Sequence, residues 1–167
     1  QQGLDPTLTN AHATYFAPTA TLAANALTKG DGGRIIVWSD DATRAYGRLE
    51  AMGGPAGGNG GFIETSGGSL DARPAALSVV APLGKSGTWL LDPSDVTISD
   101  SVPDTNVGSA PNFTATNDIA SISTATINAA LDAGQNVVVQ TSATRGPPPL
   151  GDIFVSGLIQ TSGNGGS

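Results

Sequence analysis

Short apolar runs, separated by Gly, Asn, Asp, Pro and Ser, set the pattern of the whole chain. In RLEA (48–51) and ALSVVA (76–81), apolar and polar positions alternate, which is typical of a strand that buries one face. Other runs are rich in β-branched and aromatic residues: ATYFAPTATLAANAL near the start, then DVTIS, NVVVQTS and DIFVSGLIQTS. The pattern predicts many short β-strands joined by tight connections.

One segment has helical periodicity. In SISTATINAALDAGQN, Ile127, Ala130 and Leu131 fall on one face of a helix near 123–133. A Ser or Thr can cap its start, and Gly134 stands where a left-handed residue ends a helix. We therefore expect an all-β chain that carries one short α-helix.

A glycine-rich opening recurs along the chain at a nearly constant spacing. GDGGRIIVWSD begins at Gly30, GNGGFIETSGG begins 28 residues later at Gly58, and GKSGTWLLDPS begins a further 26 residues on at Gly84. Each copy is Gly, a polar residue, Gly or Ser, and Gly, followed by a strand-like run, and the final SGNGGS looks like the same opening. This period is that of a supersecondary unit that buries its apolar face only by stacking on its own copies.

The repeat favours a parallel β-helix over an immunoglobulin-like sandwich, because a sandwich does not need similar corners at equal intervals. Stacked coils need sharp corners at equivalent positions, and we expect the opening glycines, including Gly33 and Gly61, to supply positive φ values there. Equivalent residues should then stack along one sheet: Ile35 or Ile36, Ile63, and Trp89 or Leu90. At about 26 residues per coil, the chain would form about six coils and a rod of about 30 Å.

Three blocks carry a resemblance to a known family. In order they are GDGGRIIVWSDDATRAYGRLEAMGG, GGNGGFIETSGGSLDARPAALSVVAP and GTWLLDPSDVTIS, within residues 30–99. This order resembles the large exoproteins of the filamentous haemagglutinin type, which Gram-negative bacteria secrete by the two-partner route. STATINAALDAGQNVVVQTS and GDIFVSGLIQTSG are similar to the segment that usually follows, so the resemblance covers roughly residues 20–167.

The resemblance implies a right-handed parallel β-helix. Residues 1–167 would be a single β-helical segment, a fragment of a larger exoprotein, with glycine-cornered repeats over 30–99 and a short helix with further coils over 100–167. The implied role is structural or adhesive, at the bacterial surface or secreted. The implied partners are a host-cell surface, extracellular matrix or glycan ligand, and an outer-membrane transporter during secretion. The family also contains haem- or iron-related exoproteins, which is an alternative role.

Two features depart from the family pattern. The family's N-terminal secretion domain has no counterpart in this sequence, so we expect the chain to be an internal or C-terminal piece. The segment RGPPPLG (145–151) has three prolines in a row, which cannot pair in a sheet. We expect this segment to be a loop that projects from the solenoid.

Charge and composition argue against several other functions. The formal charge is −7 and the seven Lys and Arg are scattered, so the row of cations that nucleic acid requires is missing. The chain has no Cys and a single His, His12, so we expect no metal or cofactor site. No apolar run reaches the about 18–20 residues of a membrane helix, so we do not expect the chain to be membrane-embedded.

The strongest alternative from another class is a polysaccharide-active β-helix enzyme. Asp92 and Asp95 in LLDPSDVTISD would form the acid pair that glycoside hydrolysis needs, and Asp100 and Asp40–Asp41 are further acidic candidates. The more ordinary interpretation is a DPSD turn in which Asp side chains cap backbone amides. The favoured interpretation therefore has no enzyme activity and no catalytic, cofactor-binding or metal-binding residue.

The two tryptophans have two interpretations. Trp38 and Trp89 take similar places in their repeats, and each is either a sugar-stacking platform or a packed residue of the solenoid. We expect the packed role, because large aromatic side chains usually fill a core or a sheet face. The glycine openings themselves lack the residues of a phosphate-binding loop or of a calcium-binding repeat.

Overall fold

The computed structural model describes residues 7–100, 119–141 and 151–162. The predicted loop RGPPPLG, except for its last residue Gly151, and the final GNGGS therefore lie outside the described residues. Within these ranges the chain forms strands and one helix, in the order β1 Ala13–Phe16, β2 Thr21–Ala23, β3 Arg34–Ala45, β4 Arg48–Glu50, β5 Phe62–Ala72, β6 Ala76–Ser78, β7 Thr88–Pro93, β8 Asp95–Ser99, β9 Ile119–Ser123, α1 Thr124–Asp132, β10 Asn136–Val139 and β11 Ile153–Val155.

All strand pairs in the described residues are parallel, and they build a β-solenoid. The main sheet has the order β1-β3-β5-β7-β10, and the two smaller sheets have the orders β2-β4-β6 and β11-β8-β9. The prediction of a parallel β-helix with one short helix is confirmed. The described part makes about three turns. The estimate of about six coils was too high for this part, because after β8 the described residues add only the short strands β9, β10 and β11 to the sheets and otherwise form α1.

Equivalent residues of successive coils stack inside the main sheet, as predicted. Ile35 pairs with Ile63, Ile63 pairs with Trp89, and Trp89 pairs with Val137. Ile63 and Trp89 are fully buried and Ile35 nearly so, which places the column in the core. Because side chains alternate between the two faces of a strand, this register buries one apolar set through four levels of the sheet.

The opening glycines are needed for two reasons, of which we predicted one. Positive φ occurs as predicted at Gly30 and Gly58, the first glycines of two openings, but not at Gly33 or Gly61. A Cβ on Gly61 would lie 2.0 Å from the carbonyl oxygen of Gly33 in the coil below. At Gly61 the backbones of neighbouring coils therefore approach too closely for any side chain, and the predicted positive φ at Gly33 and Gly61 was wrong.

The last glycine of each opening closes one coil onto the next. The N–H groups of Gly33, Gly61 and Gly87 each donate a 2.7 Å hydrogen bond, to the carbonyl oxygens of Ala24, Ala51 and Val79 respectively. Each acceptor directly follows the short strand that ends the preceding coil. The chain between donor and acceptor is thus a closed loop, and these loops repeat at every level.

The polar residue of the opening also has a structural role. The Asp31 Oδ1 atom accepts a 2.7 Å hydrogen bond from the Asn59 N–H, and the Asn59 Oδ1 atom accepts a 3.0 Å bond from the Lys85 N–H. These residues are equivalent positions of successive coils. A short side chain with an acceptor oxygen therefore links each loop to the next one in the stack.

Helix α1 matches its sequence prediction at both ends. The Ser123 side chain accepts a hydrogen bond from the Ala125 N–H as the N-cap, and Gly134 follows the helix with φ of 73°. Ile127 and Ala130 are buried, and Leu131 packs against the core. Strand β9, directly before the helix, was not predicted, because its last three residues, SIS, were included in the helical segment.

A single side chain covers the open edge of the sheet β2-β4-β6. The Gln135 Oε1 atom accepts a 2.9 Å hydrogen bond from the Val79 N–H, and its Nε2 atom donates a 3.1 Å bond to the Leu77 carbonyl oxygen. Only 5% of Gln135 is exposed. A carboxamide has the donor and acceptor of a peptide group, so Gln135 takes the place of the next strand beside β6.

We expect Gln135→Leu to lower the free energy of unfolding by about 2–3 kcal/mol, because it leaves a buried N–H and a buried carbonyl without partners. Gln135→Glu is the matched control that removes the donor alone. It keeps an acceptor oxygen for the Val79 N–H, but it replaces the Nε2 donor by a second oxygen next to the Leu77 carbonyl oxygen. Urea denaturation of the three proteins measures the effect. Unchanged stability of Gln135→Leu would show that the edge does not depend on this cap.

Candidate functional site

The two acidic candidates of the enzyme hypothesis have separate hydrogen-bond partners. Asp92 is only 4% exposed, and its Oδ2 atom accepts a 2.8 Å bond from the Gln140 Nε2 atom. Asp95 Oδ1 accepts bonds from the backbone N–H groups of Gly151 at 2.6 Å and Asp152 at 3.0 Å. Asp95 thus caps backbone amides as the ordinary interpretation predicted, whereas Asp92 and Pro93 lie in strand β7 and not in a turn.

The other acidic residues also serve the framework. Asp100 accepts a 2.6 Å bond from the Thr124 hydroxyl at the start of α1. Asp40–Asp41 lie at a bulge in β3, where the register against β5 shifts between Ser39 and Ala42. Asp41 lies 3.4 Å from the exposed His12 ring. Among the residues that the structure describes, no three His, Asp or Glu side chains form a cluster that could hold a metal ion.

A buried carboxylate that sequence reasoning missed lies on the outer face of the main sheet. Glu64 accepts a 2.8 Å hydrogen bond from the Ser66 hydroxyl, and both residues are buried. Ser66 pairs in register with Asp92, so two buried acids lie on neighbouring strands. Both are closed off from solvent and hydrogen-bonded to neutral side chains, which gives neither an open path to a substrate.

The two tryptophans are not equivalent in the structure. Trp89 is fully buried in the core, and its indole N–H donates a 3.1 Å hydrogen bond to the buried Thr65 hydroxyl. Trp38 is half-buried on the other face of its strand, where it pairs in register with Ser66. The packed role is therefore confirmed for Trp89, whereas the Trp38 side chain lies on the opposite face of the sheet.

A different set of residues forms the most distinctive surface feature in the described part of the chain. Tyr15, Arg44 and Asp71 stack in register on three successive strands of the main sheet. Tyr46 and Arg73 follow the ends of two of these strands, and both contact Asp71. These five residues are called the tyrosine–arginine patch, and they contain both tyrosines and two of the five arginines of the chain.

The polar groups of the patch are held in a fixed geometry. Arg73 binds the Asp71 carboxylate with two atoms, Nε at 2.7 Å and Nη2 at 2.5 Å. The Tyr46 hydroxyl donates a 2.6 Å hydrogen bond to the same carboxylate. The Arg73 guanidinium also lies 5.3 Å from the centre of the Tyr46 ring, a cation–π distance.

Tyr15 forms the open side of the patch. Its ring lies 5.9 Å from the Tyr46 ring in an edge-to-face arrangement, and the residue is 46% exposed. Burial, with the hydrogen bond to Asp71, raises the pKa of Tyr46 to about 12. The Tyr46 phenol is therefore a neutral donor at physiological pH, and the patch is an aromatic surface beside a carboxylate–guanidinium pair.

Sequence reasoning missed this patch because its residues come from three successive coils. The only available signal was the shared coil period, which superposes Arg44 on Asp71 once the repeats are aligned. Tyr15 lies before the first glycine opening, so the repeat alignment did not include it.

The raised pKa of Tyr46 predicts a late titration. In a Tyr15→Phe protein, the remaining phenol should ionise near pH 12, as measured by absorbance at alkaline pH. Because the folded-state pKa is above the ordinary value of 10.0, the stabilisation from the neutral phenol is present below pH 10 and is lost as pH rises towards 12. Asp71→Asn should lower this pKa part of the way, since burial remains. Ionisation of Tyr46 at the ordinary pKa would contradict the patch geometry.

A second feature is a groove between α1 and the edge of β6. It has a volume of about 340 Å³, and alanines dominate its walls, with Leu77, Pro74 and Trp89 beside them. Gln135 lines the same groove. Its small side chains let the helix lie close to the third coil, and this is the place that a further strand of the sheet β2-β4-β6 would take.

Neither a comparison with models of known protein families nor a comparison with curated proteins finds a match for this chain. Within residues 7–100, 119–141 and 151–162, the structure has no helix that is both long and apolar enough to cross a membrane. The described features are thus a β-solenoid, its helix and edge cap, and one polar aromatic patch on the surface.

Proposed function

We propose that this chain is a structural and adhesive β-solenoid module of a large bacterial exoprotein, at the cell surface or secreted, delivered by an outer-membrane transporter partner. Its ligand would be a host-cell surface, an extracellular matrix component or a glycan. The support from sequence is the resemblance of the ordered glycine blocks over residues 30–99 to exoproteins of the filamentous haemagglutinin type.

The observation that carries the proposal is the in-register stacking of equivalent residues. The column Ile35, Ile63 and Trp89 continues through successive coils, and the closing bonds of the glycine openings repeat at each level. A solenoid of this kind grows by adding coils, and each coil contacts only its neighbours. Such a shaft suits an extended surface protein, because it holds exposed side chains at fixed intervals along its length.

The hydrogen-bond partners of the acidic residues also favour a framework role over polysaccharide cleavage. Asp92 is buried against Gln140, and Asp95 is bonded to two backbone amides. A glycosidase needs two carboxyl groups on either side of an open substrate site. These two aspartates instead attach later segments of the chain to β7 and β8.

Bead adhesion tests the proposal. Beads coated with the folded chain should be retained on cultured epithelial cells or on matrix-coated wells, above beads coated with the heat-unfolded chain. Antibodies against the chain should label intact cells of the source organism or its culture medium, and protease added to intact cells should remove the surface label. Retention no greater than that of the unfolded control, with a label protected inside the cell, would overturn the proposal.

A hydrolysis assay tests the enzyme alternative separately. Release of reducing ends from neutral or anionic polysaccharides is expected to equal the buffer control. Cleavage that Asp92→Asn abolishes would replace the adhesive proposal with the enzymatic one. Asp95→Asn is the matched variant, because it tests the second candidate acid while Asp92 is unchanged.

A further inference from the structure

The stacked glycine loops carry an exposed ridge that is both apolar and positively charged. We propose that this ridge binds the surface of an anionic phospholipid bilayer, with leucine side chains entering the lipid and three cations contacting the headgroups. The inference goes beyond the proposed adhesive function and does not rest on it, because it is argued from the exposure and charge of three loops alone.

The loop ridge is made of one connection from each of three successive coils, with the first residue of the strand that follows: residues 24–34, 51–62 and 79–88. Backbone hydrogen bonds hold each connection on the next. The Ala56 N–H donates a 2.8 Å bond to the Thr28 carbonyl oxygen, and the Gly60 N–H donates a 2.8 Å bond to the Lys85 carbonyl oxygen. The loop ridge therefore runs along the axis of the solenoid.

The first argument is the exposure of leucine side chains on two of these loops. Leu27 is 93% exposed and Leu83 is 71% exposed, the two highest values among the exposed large hydrophobic residues of the described chain. The middle loop adds Pro55 and Ala56, which are also exposed. Apolar side chains that lie together at a surface mark a contact site, and the acyl boundary of a bilayer removes them from water.

The second argument is the concentration of unpaired cations on the same ridge. Lys29, Arg34 and Lys85 are all exposed, and within the described residues none of them forms an ion pair. The Arg34 guanidinium lies 4.5 Å from the centre of the Phe62 ring, a contact that orients it and leaves its N–H groups for a ligand. The loop ridge contains a single acid, Asp31, so its net charge is positive.

The overall charge of −7 does not prevent this contact. Salt screens charges over about 8 Å at physiological ionic strength, so a docked bilayer experiences mainly the charges of the loop ridge. Outside it, Arg48 and Arg73 are paired with Glu50 and Asp71. The cations that remain for an anionic surface in the described residues are thus those beside the exposed leucines.

The combination of leucines and cations decides for a lipid surface over a soluble polyanion. An acidic polypeptide would contact the cations, but it offers no apolar phase for Leu27 and Leu83. A bilayer supplies both an anionic surface and an apolar interior within a few ångströms. Because the three loops are aligned along the solenoid axis, the shaft would lie along the bilayer and not stand on it.

Co-sedimentation of the whole chain with sucrose-loaded vesicles tests the inference. The vesicles consist of phosphatidylcholine, either alone or with about 30% phosphatidylserine. We expect binding to the anionic vesicles that is at least about tenfold tighter than binding to the neutral ones. The double variant Lys29→Gln with Lys85→Gln should weaken binding to the anionic vesicles at least about tenfold, and so should Leu27→Ala with Leu83→Ala.

Two matched variants remove the same kinds of group from other surfaces. Leu158→Ala removes a leucine that is 62% exposed, and Arg48→Gln removes an exposed cation. Both should bind the anionic vesicles as the parent does. Urea denaturation should give the two double variants the stability of the parent, because the side chains that they change are exposed.

Three results would overturn the lipid site: absence of binding to the anionic vesicles, equal binding to neutral and anionic vesicles, or parental binding by either double variant. Binding to immobilised poly-glutamate that the lysine variant loses and the leucine variant keeps, without vesicle binding, would assign the loop ridge to an acidic polypeptide instead. Bead adhesion to matrix-coated wells, which contain no bilayer, tests the proposed function independently of these outcomes.

Discussion

Trp89→Ala is expected to lower the free energy of unfolding by about 3–5 kcal/mol, because it removes the largest fully buried side chain of the core. Trp89 pairs with Ile63 below and with Val137 above, so the cavity would open in the middle of the stacked column. The substitution also removes the indole donor and leaves the buried Thr65 hydroxyl without it. Urea denaturation followed by circular dichroism measures the change.

Two further variants divide this effect into its parts. Trp89→Phe keeps much of the volume but loses the hydrogen bond, so it should cost less than Trp89→Ala. Trp38→Ala removes the same type of side chain from the half-buried outer face and should cost about 1 kcal/mol. Equal losses at Trp38 and Trp89 would mean that the two positions are equivalent after all, and that the register of the main sheet is wrong.

Gly61→Ala is expected to cost about 3 kcal/mol or more, since the added Cβ cannot be accommodated without separating two coils. The Cβ would lie 2.0 Å from the Gly33 carbonyl oxygen and 2.6 Å from the Gly32 carbonyl carbon. Both contacts are with backbone, which cannot rotate away as a side chain can. Thermal and urea denaturation measure the loss, and a protein that fails to fold is the extreme form of the same result.

Two other glycines separate close approach from backbone conformation. Gly57 has φ of 124°, but its added Cβ would meet only the Lys29 side chain, at 3.9 Å. Gly57→Ala should therefore cost about 1–2 kcal/mol through backbone strain alone. At Gly33 the nearest atom is the Ala24 Cβ at 3.0 Å, so Gly33→Ala should also be milder than Gly61→Ala. A larger loss of stability for Gly57→Ala than for Gly61→Ala would show instead that positive φ is the main reason for glycine.

Much of the fold could be predicted because a solenoid is built from local units that repeat. Each coil contacts mainly the coil before and after it, so the spacing between glycine openings also sets the pairing register. The alignment of Gly30, Gly58 and Gly84 was therefore enough to place Ile35 or Ile36, Ile63, and Trp89 or Leu90 along one sheet, and the structure shows that Ile35, Ile63 and Trp89 form the buried column. The helix was predictable for the same reason, since its cap at Ser123 and its end at Gly134 are local signals.

The candidate site could not be predicted in the same way. Tyr15 lies before the glycine-cornered blocks, and Tyr46 and Asp71 lie in two different blocks, so only the stacking of coils brings their side chains together. The Asp92–Asp95 hypothesis depended on short spacing in sequence. In the structure, Gln140 and the backbone amides of Gly151 and Asp152, all distant in sequence, bind those carboxylates separately.

The sequence by itself determined the repeating unit, its parallel stacking and its inward-facing column, because the period of the glycine openings and the alternation of apolar residues are both local. Only the tertiary structure decided why Gly61 must be glycine, because the clash is with a carbonyl oxygen of another coil. It also decided that Gln135 covers the edge of β6 and that a tyrosine–arginine patch exists. Those features depend on distances between atoms far apart along the chain, and sequence spacing does not carry that information.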